Sequence, residues 1–270
     1  MNSASIPQFD LVLGSGGIKG FGHLGLLKAI EEKQIRINRI TGVSIGAIVA
    51  AFFANGFNHL QIKDILIEES NTVTFGGHPF KLLFKGFLQG GINLRSHAER
   101  ITNRYQLTPR DGLYILSFDV RSMKPVFFQG TEYNLAEAVA SSAAVPFFMR
   151  PILHAGHLGR KLLVDGACYH PYPTTHCKGR TIISKIGQAR YLPTRKMTLL
   201  DFLIQLGDIA TGSIFSRPVL APDHFLVDVG MPDMAGLCFN QARSRFEDMI
   251  EYGYRQSMLA LNSALHNVRA

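Results

Sequence analysis

Arg39-Ile40-Thr41-Gly42-Val43-Ser44-Ile45-Gly46-Ala47-Ile48-Val49-Ala50-Ala51-Phe52-Phe53-Ala54 is the stretch on which the fold turns. A β-rich approach over about 36–41 reaches a serine flanked by glycines at −2 and +2. An almost wholly apolar run then follows from Ile45 to Ala54, closed by the stop signal Asn55-Gly56. A helix apolar on every side is a buried helix, so the stretch predicts strand, sharp turn and buried helix. Such a turn lifts its serine above the end of a sheet, where the hydroxyl is exposed to substrate, and the two glycines relieve the crowding this creates. The helix that leaves at once aims its positive N-terminal end at Ser44.

Working outward toward the N-terminus, Phe9 to Leu13 reads as a first strand, followed by Gly14-Ser15-Gly16-Gly17-Ile18-Lys19-Gly20. Apolar spacing over 22–32 then predicts a one-faced helix. Strand, glycine loop, helix, strand, turn and helix form a β–α–β–α pattern, which implies a parallel sheet. Downstream, 113–120 and 125–129 read as two strands. Leu135 to Ala144 reads as a small-residue helix, and Lys161 to Val164 as a short strand entering Asp165-Gly166. A helix over 199–210, a strand over 224–229 and a long helix from about Ser244 complete the pattern. No linker divides the chain, so the expectation is one domain over 1–270. It is three-layered α/β/α, with a central, mostly parallel sheet and its site at the carboxyl ends of the strands.

Composition narrows the function. The 270 residues are 46% hydrophobic and 18% charged, enough apolar material for a large core and too much for a disordered chain. Cys168, Cys177 and Cys238 make an odd count without CxxC spacing, which supports neither a disulfide framework nor a zinc ribbon. The run Ile45–Ala54 is about half the length that a bilayer crossing needs. The opening residues MNSASIPQFD lack the basic and apolar regions of a signal peptide, so a cytoplasmic location is expected, with non-classical export left open. A net charge of +8 favours anionic partners. Nucleic-acid motifs are absent, so nucleic acid is set aside in favour of lipid head groups. Phe80-Lys81-Leu82-Leu83-Phe84-Lys85-Gly86-Phe87-Leu88, within 73–95, mixes aromatics with lysines in a way that suits either an anionic membrane surface or an ordinary amphipathic helix.

Three features could carry chemistry. Ser44 in its elbow is the candidate nucleophile. The glycines of 14–20 could converge their N–H groups on a phosphate or on a tetrahedral oxyanion. Gly20-Phe21-Gly22-His23-Leu24-Gly25 also matches the dinucleotide fingerprint, although it starts seven residues beyond the strand instead of adjoining it. Asp165 closes a strand with glycine directly behind it, so its carboxylate would stand at the functional edge of the sheet. None of the ten histidines, His224 and His266 included, stands in a distinctive turn.

These residues resemble the patatin-like phospholipases. The resemblance rests on Gly16-Gly17-Ile18-Lys19-Gly20, on His23-Leu24-Gly25-Leu26-Leu27, and on Gly42 to Ala47. It continues through Ala140 to Pro151 and Asp165-Gly166-Ala167, in family order over roughly 9–175. It implies a lipid acyl hydrolase of phospholipase A or lysophospholipase type that works through a Ser44–Asp165 dyad and needs neither metal nor cofactor. The implied oxyanion donors are the N–H groups of Gly16, Gly17, Ile18 and Ile45. Lys19 and Gly20 would support the loop, and Gly42 and Gly46 would shape the elbow. Ser15 departs from the family's glycine, and Pro171 from its usual Asn, which puts the support of Asp165 in question. Transacylase or thioesterase chemistry would use the same dyad. A dinucleotide enzyme would use Gly20, Gly22 and Gly25, and a non-catalytic lipid binder would use neither.

Overall fold

The computed structural model describes residues 6–72, 92–156, 159–187, 206, 210, 220–232 and 243–269. Within them, strands β1 (Gln8–Leu13), β2 (Arg36–Val43), β3 (Leu113–Asp119), β4 (Lys124–Phe128), β5 (Ile152–Gly156), β6 (Gly159–Asp165), β7 (Thr181–Lys185) and β8 (His224–Asp228) form one mixed sheet. Its order is β5-β6-β3-β2-β1-β7-β8, with β4 paired to β3. The run β3-β2-β1-β7-β8 is parallel, while β4, β5 and β6 are antiparallel additions at one end. Helices α1 (Phe21–Glu32), α2 (Ile45–Ala54), α3 (His59–Thr72), α4 (Leu94–Arg104), α5 (Leu135–Ser142) and α6 (Phe246–Arg269) flank it. This is the mostly parallel, helix-flanked sheet of the expected α/β/α class.

Strand alternation decides where the core lies. Phe9, Leu11 and Leu13 of β1 point into one large cluster shared with α1, α2, α3, α5 and α6. Val12, between them, points to the other face and packs with Tyr172 and Ile183. A second cluster on strands β2 and β3 joins Val43 and Leu116 to Ala167. The apolar helix α2 is buried along most of its length, as its sequence requires. Asn55 ends it by folding back, its side-chain amide donating to the carbonyls of Ala51 and Thr108.

The C-terminal third belongs to the same sheet and core. Strand β7 pairs with β1, and α6 packs against α1. Helix α1 meets α6 where neither has a side chain: a Cβ on Gly22 would lie 2.2 Å from the Val229 carbonyl oxygen, and one on Gly25 2.2 Å from that of Ile250. On the α6 side, a Cβ on Gly253 would lie 2.2 Å from the Gly22 carbonyl oxygen. Phe21 and Phe246 stack beside this crossing, 4.0 Å between ring centroids. The dinucleotide reading of Gly20-Phe21-Gly22-His23-Leu24-Gly25 is therefore corrected. Gly22 and Gly25 lie inside a helix with another element's backbone in the space a phosphate would need. The aromatic–lysine segment over 73–91, most of the 199–210 helix and Cys238 lie outside the described residues.

Candidate active site

Strand β2 delivers the serine. Its last four residues, Ile40 to Val43, are buried, and at Ser44 the chain turns with φ 57° and ψ −124°. A non-glycine residue held there costs on the order of 1–3 kcal/mol, and such strain persists only where the surroundings impose it. The surroundings are specific. A Cβ on Gly42 would lie 2.5 Å from the Ala47 Cα, and one on Gly46 2.1 Å from the Leu13 carbonyl oxygen. Both glycines are thus required by close backbone approach. The Ser142 hydroxyl on α5 accepts from the Ser44 N–H at 3.0 Å and donates to the Leu116 carbonyl at 2.6 Å, tying the elbow to β3. The Ser44 carbonyl accepts from Ala47 and Ile48 to start α2.

Strand β6 delivers the acid from the opposite direction. Val43 sits opposite Leu116 of β3, and Asp165 opposite the next residue, Ser117. The serine that follows Val43 and the carboxylate are therefore brought to the same level of one strand. The Asp165 N–H donates to the Ala144 carbonyl at 3.0 Å, and its Oδ1 accepts from the Ala167 N–H at 2.9 Å. Gly166 lets the chain turn there, since a Cβ would lie 2.1 Å from the Leu116 carbonyl oxygen.

Asp165 is fully buried, and that burial raises its pKa from 3.8 to about 7. The Ala167 N–H and the Ser44 hydroxyl pull in the other direction. The hydroxyl acts at close range without meeting the geometry of a full hydrogen bond, so Oδ2 is buried with no hydrogen-bond partner among the described residues. No histidine among the described residues bonds to Ser44 or Asp165. His224 lies beside Asp223 at 4.0 Å.

The glycine loop lies against the elbow. A Cβ on Gly20 would be 2.2 Å from the Ile45 side chain, one on Gly16 2.5 Å from Ile186, and one on Gly14 2.3 Å from the Tyr172 ring. Gly17 adopts φ 57° and opens a single 3-10 turn, Gly17–Gly20, ahead of α1. The N–H groups of Gly17 and Ile18 head this turn and that of Ile45 heads α2, positions with no acceptor inside a helix. Lys19 is fully buried, and its ammonium donates to the Gly187 carbonyl just past β7.

The roles of four residues that support this site, His23, Ser142, Ala144 and Pro171, escaped the reading of the sequence. His23 is fully buried, with Nε2 at 2.9 Å from the Gly14 carbonyl and Nδ1 at 2.8 Å from the Ser184 hydroxyl. Nε2 donates to the carbonyl and Nδ1 accepts, so the ring is neutral, and burial lowers its pKa to about 4. Ser142 and Ala144 lie in the segment that carried the resemblance, but only the fold reveals that they hold Ser44 and Asp165. Pro171 supports the glycine loop rather than Asp165: its carbonyl accepts from Ser15, and the Tyr172 ring beside it covers Gly14.

A small apolar cavity of about 70 Å³ opens between α2, α4 and α5, lined by Ile48, Ala51, Ala98, Ile101, Val139 and Ala143 among others. Ile48 lies one helical turn past Ser44, and Ala143 directly follows Ser142.

Comparison with known proteins bears on the family and the fold. The chain is 28% identical over 201 residues to the uncharacterized protein YqhO of Bacillus subtilis, covering 61% of this chain and 65% of YqhO. It is 42% identical over 67 residues to neuropathy target esterase sws of Drosophila persimilis, 25% of this chain and 5% of that protein. The chain thus spans less than two thirds of either relative. VipD from Legionella pneumophila shares the fold, with a TM-score of 0.51 at 15% identity over 95% of this chain and 67% of VipD. The family model for patatin-like phospholipases matches residues 11–177, from β1 through Asp165 to the segment that braces the glycine loop, and the chain belongs to that family.

Proposed function

We propose that this chain is a metal-independent serine acyl hydrolase of phospholipase A or lysophospholipase type, with Ser44 as nucleophile and Asp165 as its base. The observation that carries this reading is the register of β3, which brings the strained serine and a buried carboxylate with one unpaired oxygen to a common level. In the first half-reaction, Oγ of Ser44 attacks the ester carbonyl carbon as Oδ2 of Asp165 takes its proton. The developing oxyanion is met by N–H groups of Gly16, Gly17, Ile18 and Ile45, each donor worth about 3 kcal/mol in such sites. The intermediate collapses with cleavage of the C–O bond, and the departing alcohol takes the proton from Asp165. Water then gives a proton to Asp165 and attacks the acyl-serine, releasing the fatty acid and restoring the Ser44 hydroxyl.

Each supporting group suits its task. A base with a pKa near 7 is poised both to accept and to return a proton at neutral pH. Lys19 and Gly20 keep the oxyanion loop against Ile45, and the apolar cavity beside Ile48 suits the first carbons of an acyl chain. The substrate is a lipid ester met at an anionic membrane from the cytoplasm, through peripheral contact.

The test is fatty-acid release from mixed anionic phospholipid vesicles in excess EDTA, for wild type, Ser44→Ala and Asp165→Ala. The expected result is release by wild type alone, with both variants folded and at least 1,000-fold slower. Full activity in Asp165→Ala, with loss in a histidine variant, would remove the dyad. Silence of the wild type on every ester would remove the hydrolase.

A further inference from the structure

The β3–β4 turn and the β5–β6 hairpin stand beyond the site at the same edge of the sheet. Strand β3 runs parallel to β2 and continues three residues past Leu116, the level of the elbow. Strand β6 enters from that same end. At about 3.3 Å per residue, Asp119 lies ~7 Å, and Arg160 ~17 Å, beyond the level of Asp165 and its partner Ser117. The two projections are bonded side by side. Val120 donates to the Leu162 carbonyl at 3.1 Å, Leu162 donates to Asp119 Oδ1 at 3.0 Å, and the Arg121 guanidinium donates to the Arg160 carbonyl at 3.1 Å.

They present to solvent four of the eight large apolar side chains that are exposed among the described residues. Val120, Met123, Leu153 and Tyr169 are 38%, 68%, 46% and 51% exposed, and the Tyr169 ring is anchored by stacking on Phe118. Strand alternation accounts for Leu153: its neighbours Ile152 and His154 face α5, where His154 pairs with Glu137, so Leu153 faces outward. Met123 sits at the turn with φ 54°, a backbone conformation that costs energy, and its side chain stands in solvent. Two cations, Arg121 at the turn and Arg160 on the face of Leu153, stand beside these residues, and neither forms an ion pair with a described residue. Lys124 and Lys161 pair in register with Asp119 and His154 and so belong to the α5 face. The nearby carboxylate, Asp119, is 2% exposed and is consumed inside the turn by the Arg121 N–H, the Ser122 hydroxyl and the Leu162 N–H. The patch is thus cationic and apolar together, with no exposed acid among the described residues.

We infer that this paired-hairpin platform docks the protein on an anionic lipid bilayer. Met123, Leu153, Val120 and Tyr169 enter the head-group region, and Arg121 and Arg160 contact lipid phosphates. Interleaved apolar side chains and cations suit an interface that is apolar below and anionic above. A nucleic acid or an acidic protein surface would use the cations but not the projecting methionine and leucine. The platform rests on the proposed lipid hydrolase for its purpose, because it sets the carboxyl edge of the sheet, and Ser44 with it, toward the membrane. It does not depend on that chemistry for its binding.

The experiment is flotation of the full chain carrying Ser44→Ala, so that hydrolysis cannot alter the vesicles, with phosphatidylcholine alone and with phosphatidylcholine containing 30 mol% phosphatidylglycerol. Binding to the anionic vesicles only is expected. Neutralising the pair Arg121→Gln and Arg160→Gln should weaken it about thirty-fold. Met123→Ser with Leu153→Ser should make the remaining binding vanish in 0.5 M salt. Arg36→Gln with Lys178→Gln, an equal loss of charge at the opposite edge of the sheet, should change binding less than two-fold. In a Ser44 background, all these variants should keep wild-type turnover of a soluble short-chain ester. Equal weakening by the two charge-neutralised pairs, or no effect of either platform pair, overturns the proposal, as does preferential capture by duplex DNA. Platform-dependent flotation with no ester turned over would leave the docking surface standing and remove the hydrolase.

Discussion

Replacing Asp165 with Asn should make the protein more stable as pH rises, relative to wild type, while abolishing its activity. The carboxyl is fully buried, and its pKa rises from 3.8 to about 7, chiefly because burial penalises the charged form. Between those two values the unfolded chain has already lost a proton that the folded chain still holds. Wild-type stability therefore falls with increasing pH across that window. The slope is about 1.4 kcal/mol per pH unit and the total about 4 kcal/mol, fully developed above pH 7 and absent below pH 4. The substituted amide carries no such ionisation. Its carbonyl can still accept from the Ala167 N–H, but an NH₂ group at the position of Oδ2 meets only the Ser44 hydroxyl, outside the geometry of a full hydrogen bond. That adds a constant penalty of about 1–3 kcal/mol that does not vary with pH.

The assay is urea unfolding of both proteins from pH 4 to pH 9. The expected difference curve climbs in favour of the variant between about pH 4 and 7 and is flat above. A difference curve flat to within about 0.5 kcal/mol across the range would refute the burial argument, because a carboxyl that ionises freely leaves no such signature. In the proposed mechanism the same group sets the activity profile. As a base it must be deprotonated, so wild-type kcat/KM should rise with pH through a midpoint near 7.

Three other predictions test the supports of the site. Ser142→Ala leaves the buried Ser44 N–H without its acceptor and should cost about 2 kcal/mol in unfolding free energy, lowering kcat more than it changes KM. Gly46→Ala places a methyl 2.1 Å from the Leu13 carbonyl oxygen, so the elbow must shift off β1. Ester turnover should fall at least 100-fold, and a shift in the thermal midpoint of several degrees should accompany it. Lys19→Met removes the buried ammonium that reaches the Gly187 carbonyl and should loosen the glycine loop. The expected result in steady-state kinetics is a ten-fold or greater loss of kcat with KM nearly unchanged.

Much of the architecture is legible because periodicity and glycine placement are local signals. The runs over 9–13, 36–43, 113–119, 124–128, 159–165 and 224–228 are strands within two residues of where alternation and turn residues put them. The all-apolar run from Ile45 could only be a buried helix, and it is one. Strands β5 and β7 are absent from the sequence reading. Thr181–Lys185, between Gly179 and Gly187, is buried on both faces and so shows no alternation, and Ile152–Gly156 is an outer strand whose exposed Leu153 breaks the apolar pattern. Helices α3 and α4 are rich in polar and charged residues, so their apolar faces are narrow and their existence is decided by packing more than by propensity.

The sequence alone determined the candidate residues. Ser44 between Gly42 and Gly46, Asp165 before Gly166, and the glycine loop with Lys19 are all visible as letters, because each reflects a backbone constraint within a few residues. Only the tertiary structure decided what they do to one another. Ser44 and Asp165 are 121 positions apart, and their common level exists because β2 and β6 both register on Leu116–Ser117 of β3. The fold also decided between two readings that the letters could only rank. Gly22 and Gly25 are spent on the crossing with α6, whereas Gly20 lies against Ile45 at the elbow. Hydrogen-bond register and close backbone approach act across the whole chain, and no local pattern encodes them.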